Sequence, residues 1–171
     1  MELRRLVTLF AIAAAATLVL RACVVEGIYI ASGSMEPKFP VGAHVFLDKL
    51  TYRFRAPRRG EIICLVEPVP PRHEVVKRVI GVQDDVIELR AKAVFVNGAA
   101  ADEPYVRHSR AAERLAGDDL GPLTVPKDQV FVLGDNRDES NDSSVWKDPD
   151  SGQPVHFVPV SRVRGIVRGF Y

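Results

Sequence analysis

Prolines set the strongest constraint on this chain. All 12 fall between Pro37 and Pro159, spread along the sequence rather than clustered. A proline inside a helix removes a hydrogen bond and collides with the preceding turn. Long helices are therefore disfavoured after the N-terminus. Hydrophobic residues at 47% and charged residues at 26% are globular values, which exclude wholesale disorder. With 171 residues there is room for one domain of ordinary size.

The N-terminal stretch is apolar. Leu6 to Leu20 reads LVTLFAIAAAATLVL, fifteen residues without a charge. Ala22 to Val25 extends it if Arg21 snorkels to the headgroups. Twenty residues at 1.5 Å each span about 30 Å, one hydrocarbon core. The spacing predicts one N-terminal transmembrane helix, retained as an anchor over residues 1–25, and an exported domain over 26–171. Arg4 and Arg5 place the N-terminus on the cytoplasmic side. A cleaved signal peptide is the alternative, since the charged start and apolar run also suit one. A lipoprotein signal fits poorly, because Arg21 stands two residues before Cys23.

Charge and cysteine count narrow the function classes. Three of the 23 basic and one of the 22 acidic residues lie in 1–25, a net of +2; the remaining 20 and 21 give −1. A nucleic-acid binder working through phosphate contacts is far more basic, so no nucleic-acid partner is expected. Two cysteines, Cys23 and Cys64, make no disulfide framework, and no Cys/His spacing suggests a metal site. Both read as small hydrophobes.

After residue 25 the pattern is short β-branched runs broken by Gly, Pro and Asp, which predicts a mainly β, antiparallel domain. Expected strands are Ile28–Ala31, Ala43–Leu47, Glu61–Glu67, Glu74–Val82, Asp85–Leu89, Ala93–Asn97, Gln129–Leu133 and Val163–Val167. Arg90 to Lys92 reads as a three-residue hairpin turn, and Asn97-Gly98 as a further turn. A short helix is expected over Ser109–Ala116, ended by Gly117. Residues 99–125 and 147–154 read as loops.

Three stretches can carry chemistry. Ser32-Gly33-Ser34-Met35-Glu36-Pro37 follows an expected strand, and Gly33 allows a turn that presents one serine hydroxyl and inward backbone N–H groups. A nucleophile with an oxyanion hole needs that arrangement; a plain polar loop is the alternative. In Glu74–Gly81, alternate side chains share a face. Lys77 then sits with Val75 and Val79, and Arg78 with Val76 and Ile80, so at least one cation lies beside buried apolar surface. Burial penalises a charged lysine and makes it a usable general base, whereas arginine stays protonated. An edge strand with both cations in solvent is the alternative. The third stretch is Gly134 to Ser144, eleven polar residues after an apolar strand. An EF-hand register from Asp135 fails, with Arg137 third and Ser140 sixth. As a loop, Arg137 among Asp135, Asp138 and Asp142 reads as a salt-linked brace. His44, His73, His108 and His156 lie outside all three stretches, so a Ser-His-Asp triad has no local support.

In their order behind the apolar segment, these stretches resemble the boxes of type I signal peptidases, membrane-bound Ser/Lys endopeptidases of the leader peptidase family. The matching residues are SGSMEP at 32–37, RGEII at Arg59–Ile63, KRVIG at 77–81 and GDNRDES-ND-S at 134–144, with VNG and EPY at 96–98 and 103–105. The resemblance implies a mainly β catalytic fold of signal-peptidase type. It implies Ser34 as nucleophile, Lys77 as general base, and the Ser34 N–H with the Ser32 hydroxyl as oxyanion hole. Ser140 then orients the lysine, Asp142 braces the loop behind it, Met35 and Pro37 shape the membrane-proximal side, and Arg78 is structural. No metal or organic cofactor is implied. The implied partners are preprotein signal peptides with small residues at −3 and −1 and a lipid bilayer, and the implied setting is the plasma (inner) membrane, or an organelle inner membrane.

The chain departs from the family pattern in four places. Lys38 stands for the usual Thr, Glu61 for the Asp of the second box, Gln83-Asp84-Asp85 for Pro-Gly-Asp, and Ser144 for the final Arg. The last leaves Asp142 without its usual partner. A tethered binding module and a self-cleaving Ser/Lys repressor are the rival readings. The intact serines and lysine speak against the first, and the membrane segment in place of a DNA-binding domain against the second.

Overall fold

The computed structural model describes residues 2–23 and 25–170, with the side chains at 19–24 and 170 outside the description. The extension of the apolar run over 22–25, the reach of Arg21 and the setting of Cys23 therefore fall outside the described residues.

One helix, α1 (Glu2–Cys23), opens the chain in the proline-free stretch before Pro37. Its apolar side chains, among them Leu6, Leu9, Phe10 and Leu18, are exposed. Among the described residues no helix is long and apolar enough to cross a membrane. Arg4, Arg5 and Arg21 fall within the helix. The uncharged run between them, fifteen residues long, covers about 22 Å at 1.5 Å per residue, short of a 30 Å core. The expected transmembrane helix is thus met only as a helix.

The remainder is antiparallel β, as expected. A seven-stranded sheet has the order β1-β2-β11-β3-β4-β9-β10. Its strands are β1 (Val25–Tyr29), β2 (His44–Asp48), β3 (Ile62–Val66), β4 (Glu74–Val82), β9 (Gln129–Leu133), β10 (Val158–Pro159) and β11 (Val163–Phe170). A four-stranded sheet has the order β7-β6-β5-β8, built from β5 (Val86–Arg90), β6 (Ala93–Val96), β7 (Ala99–Ala100) and β8 (Leu120–Thr124). β4 and β9 have the expected bounds. β1 lies three residues before its expected start, and β7 and β8 occupy a region expected to be loop.

Turn chemistry explains the second sheet. Ala91 and Lys92 both have positive φ, 47° and 72°, and Arg90 pairs with Ala93. This is a two-residue hairpin turn of the mirror-image kind, not the expected three-residue one. Asn97-Gly98 is a turn, as expected, joining β6 to β7. The expected helix over Ser109–Ala116 is absent; the segment is a run of turns. Asp118 accepts from the Leu115 N–H, and Arg110 N–H is taken by Asp138. The Leu115 amide, which a helix would use inside itself, is thus held by a side chain, and the Arg110 amide ties the segment to the Gly134–Ser144 loop.

Both faces of the large sheet are covered. Met35, Phe39, Val45 and Ile62 pack on one face, and Ile63, Leu65, Val132 and Trp146 on the other. Ile80, Ile87, Val125 and Phe131 form the joint with the small sheet. Burial of each such side chain is worth about 1.5–3 kcal/mol.

Gly81 lies in this joint at a register shift of β4 against β9. A Cβ there would stand 2.6 Å from Ile87 Cδ1 and 3.1 Å from Val125 Cγ2. Gly81→Val should therefore destabilise the fold by about 1–3 kcal/mol through overpacking, read from urea unfolding.

Candidate active site

The site forms where β4 meets two turns. The chain leaves β1 through Ile30, whose N–H donates to Ala43 O and whose carbonyl accepts from Gly42 N, both at 2.9 Å. Ser32 is extended, and a 3-10 turn over Gly33–Met35 follows. Met35 and Phe39, each 1% exposed, sink into the core and anchor the turn. Met35 is thus a core residue beneath Ser34, while Pro37 and Lys38 stand exposed. Ser34 is buried, and its Oγ lies 3.3 Å from Ser32 Oγ.

β4 is interior to the sheet, not an edge. On one side β3 pairs with Glu74 to Arg78, where Lys77 faces Ile63 and Arg78 faces Ile62. On the other side, β9 pairs only with Arg78 to Val82. The two cations take opposite faces, and both are buried, at 3% and 9% exposure. Arg78 makes a bidentate pair with Asp135 at 2.7 and 2.6 Å and donates to Gly60 O at 2.9 Å. Lys77 has no carboxylate within ion-pair distance among the described residues. Its Nζ donates to Ser140 Oγ at 3.1 Å. Burial pushes Lys77 below its ordinary value, and the charges of Asp142, Glu67 and Asp135 push back only in part.

The loop from Gly134 to Ser144 ties these groups together. Asn136 N–H donates to Ser34 O at 3.0 Å, and Asn136 Nδ2 donates to Gly33 O at 3.2 Å. A Cβ on Gly134 would sit 2.5 Å from Ser34 O and 2.6 Å from Ser140 Cβ. Only glycine lets the two serine-bearing segments approach this closely. Gly134 and Asn136 lie in the third stretch, but the sequence reading gave neither a role. A glycine directly after an apolar strand was a usable signal for the first; the second had none.

Asp142, 1% exposed, holds the loop closed. Its Oδ2 accepts from Gly134 N at 2.9 Å, and its Oδ1 accepts from Ser144 N at 3.1 Å and Ser144 Oγ at 2.8 Å. The serine that replaces the family's arginine is therefore Asp142's partner. The expected brace around Arg137 is different: Arg137 pairs with Glu103 at 2.6 Å, Asp135 with Arg78, and Asp138 with Lys92. Separate protein cations hold two of these carboxylates. Among the described residues no group of three or more His, Cys, Asp or Glu is placed to hold a metal ion. In the second box, Glu61 accepts from Tyr52, Arg55 and the Arg58 N–H, and Arg59 pairs with Asp85 in the altered turn.

The whole chain can now be set beside known proteins. The family model described as signal peptidase, peptidase S26, matches residues 3–171. The chain belongs to this family. It is 37% identical over 154 residues to a probable signal peptidase I-2 of Synechocystis, covering 84% of this chain and 68% of that one. It is 35% identical over 134 residues to a signal peptidase I of Leptolyngbya laminosa, covering 74% and 63%. The chain thus spans about two thirds of the length of these relatives. A crystal structure of a signal peptidase I from Enterococcus faecalis V583 matches with a TM-score of 0.50 at 30% identity, over 67% of this chain and 98% of that chain.

The burial of Lys77 carries a stability signature. Its folded-state value lies below 10.5, that of the free side chain. Between the two values the unfolded chain binds the proton that the folded chain lacks, so stability rises with pH there. The stability deficit of wild type relative to Lys77→Met should shrink as pH climbs toward 10.5, followed by denaturant unfolding across the alkaline range. A pH-independent difference would contradict the burial penalty.

Proposed function

We propose that this signal peptidase family member removes signal peptides from exported preproteins, cutting after small residues at −3 and −1 by a Ser34/Lys77 mechanism. The observation that carries the reading is a buried lysine that is shifted toward its neutral form and held by Ser140, on the strand beside the Ser34 turn.

A neutral Lys77 takes the Ser34 hydroxyl proton, and Oγ attacks the carbonyl carbon of the −1 residue. The Ser34 N–H and the Ser32 hydroxyl stabilise the resulting oxyanion; one such donor is typically worth about 3–4 kcal/mol. The close Ser32–Ser34 hydroxyl pair supports this assignment. Lys77 then returns the proton to the leaving amine, and water hydrolyses the acyl-enzyme. Ser140 orients the lysine and Asp142 braces the loop behind it, in keeping with the hydrogen bonds each makes. Met35 supports the Ser34 turn from the core, and Pro37 borders it.

The substrate enters extended. Glu74 to Val76 pair with β3 alone among the described strands, so their outer edge offers unpaired backbone groups beside Lys77. An extended peptide adds to such an edge through main-chain hydrogen bonds.

Two further parts of the reading concern placement. Residues 1–25 act as the membrane anchor and 26–171 as the catalytic domain, single-pass, with the N-terminus cytoplasmic. The exposed apolar side chains of α1 support contact with a lipid bilayer, which confines enzyme and preprotein to one surface and raises their effective concentration.

Ser34→Ala and Lys77→Ala should each abolish cleavage of a preprotein bearing an Ala-x-Ala site while leaving the protein folded, with mass spectrometry locating the wild-type cut after the −1 alanine. Full activity in either variant would sink the mechanism. Because only neutral Lys77 accepts the proton, kcat/KM should rise with pH through an alkaline limb; a profile flat from about pH 5 to 9 would argue against a lysine base.

A further inference from the structure

The segment Glu103–Arg110 has no regular structure, yet it reaches a neighbour of each of the three groups assigned to catalysis. Arg107 Nη1 donates to Glu36 Oε2 at 2.8 Å, two residues beyond Ser34. The Tyr105 ring stacks on Arg78, whose Cζ lies 3.8 Å from the ring centre, one residue beyond Lys77. The Arg110 N–H donates to Asp138 at 2.7 Å, two residues before Ser140.

Arg107 holds two of these pieces at once. Its backbone lies alongside the Ser140 loop: its N–H donates to Asp135 O at 2.8 Å and its carbonyl accepts from Arg137 N at 3.0 Å. That loop supplies the Asn136 N–H to Ser34 O. Its side chain holds the other piece. Among the described residues, the Arg107–Glu36 pair is the one ion pair that reaches the Ser34 turn. The Glu36 carboxyl carbon also lies 3.6 Å from where a Gly33 Cβ would stand, so the paired carboxylate covers the turn.

The pair is half in solvent, with side-chain exposures of 49% and 30%. An exposed ion pair adds little to stability. A small displacement of a nucleophile, by contrast, costs rate steeply. The consequence of this pair is therefore geometric.

We propose that Arg107 is a positioning residue, which fixes the Ser34 turn against the Ser140 loop by clamping Glu36. The inference rests on the peptidase reading above. Arg107 acts through Glu36 and Asn136, and its role is to set the separation of Ser34 from Lys77 rather than to bind substrate.

The test is steady-state cleavage of an Ala-x-Ala preprotein in detergent micelles. Wild type, Ser34→Ala, Arg107→Met, Arg107→Lys, Glu36→Gln and the Arg107→Met/Glu36→Gln double variant run in parallel. Arg107→Met and Glu36→Gln should each lower kcat about tenfold with KM within about twofold, and the double variant should lose no more than either single one. Arg107→Lys, which keeps the charge, should recover about half of kcat or more. Should Arg107→Met not fold, Glu36→Gln carries the test alone. Wild-type kcat in the folded Arg107→Met and Glu36→Gln variants, or a loss confined to KM, would overturn the positioning role while leaving the peptidase reading intact. No cleavage by wild type, or full cleavage by Ser34→Ala, would remove the peptidase reading and this inference with it.

Discussion

Two adjacent cations on one interior strand meet opposite fates, and the rest of the site depends on that difference. Alternation along β4 sends Lys77 and Arg78 to opposite faces of the large sheet. Arg78 meets Asp135 in a bidentate pair and stacks on Tyr105, so its charge is neutralised where it is buried. Lys77 is buried as deeply and meets a serine hydroxyl in place of a carboxylate. A buried ammonium without a close counter-ion is costly, and the group relieves the cost by giving up its proton. The same strand thus carries a paired cation as a structural tie and a buried amine shifted toward its neutral form.

The Gly134–Ser144 loop converts this electrostatic setting into a geometry. It binds the Ser34 turn through Asn136, offers Ser140 to Lys77, and is closed on itself by Asp142. Each contact requires the others. Gly134 has no room for a side chain because Ser34 and Ser140 converge on it, and its N–H is one of Asp142's donors. Ser144 shows how the loop tolerates a change of partner. A hydroxyl and its own amide satisfy one carboxylate oxygen, which keeps the buried carboxylate hydrogen-bonded without an arginine.

Much of the fold was legible in the sequence, because period-two patterning and turn chemistry are local. β4 and β9 have the bounds expected from their β-branched runs, and the Asn97-Gly98 turn stands where it was read. The failures were non-local. Ser109–Ala116 has helical composition, but two of its amides, at Arg110 and Leu115, are taken by Asp138 and Asp118. β7 is only two residues long and β8 carries Gly121-Pro122, so neither announces itself; they pair with β6 and β5. At the site, Ser34 and Lys77 were legible as candidates from their own stretches, whereas the roles of Ser32, Ser140 and Asp142 were read from the family resemblance. Their partners were legible in neither way. The Arg137 brace was assigned to its neighbours in sequence, whereas its carboxylate is Glu103. Asn136 reaches the Ser34 turn through its backbone and side-chain amides, and Arg107 reaches Glu36 from far along the chain, contacts that no pattern of residue types encodes. The expected anchor is met as a helix, and among the described residues no helix is long and apolar enough to cross a membrane.

Titration of the Lys77 amine itself tests the central claim most directly. With lysines labelled at the ε-carbon, NMR spectra of wild type and Lys77→Met assign the Lys77 signal, and its shift is followed against pH. The account predicts a midpoint clearly below 10.5, the value of the free side chain. A midpoint at or above that value would mean that the buried lysine keeps its charge, and the chemistry assigned to it would not stand.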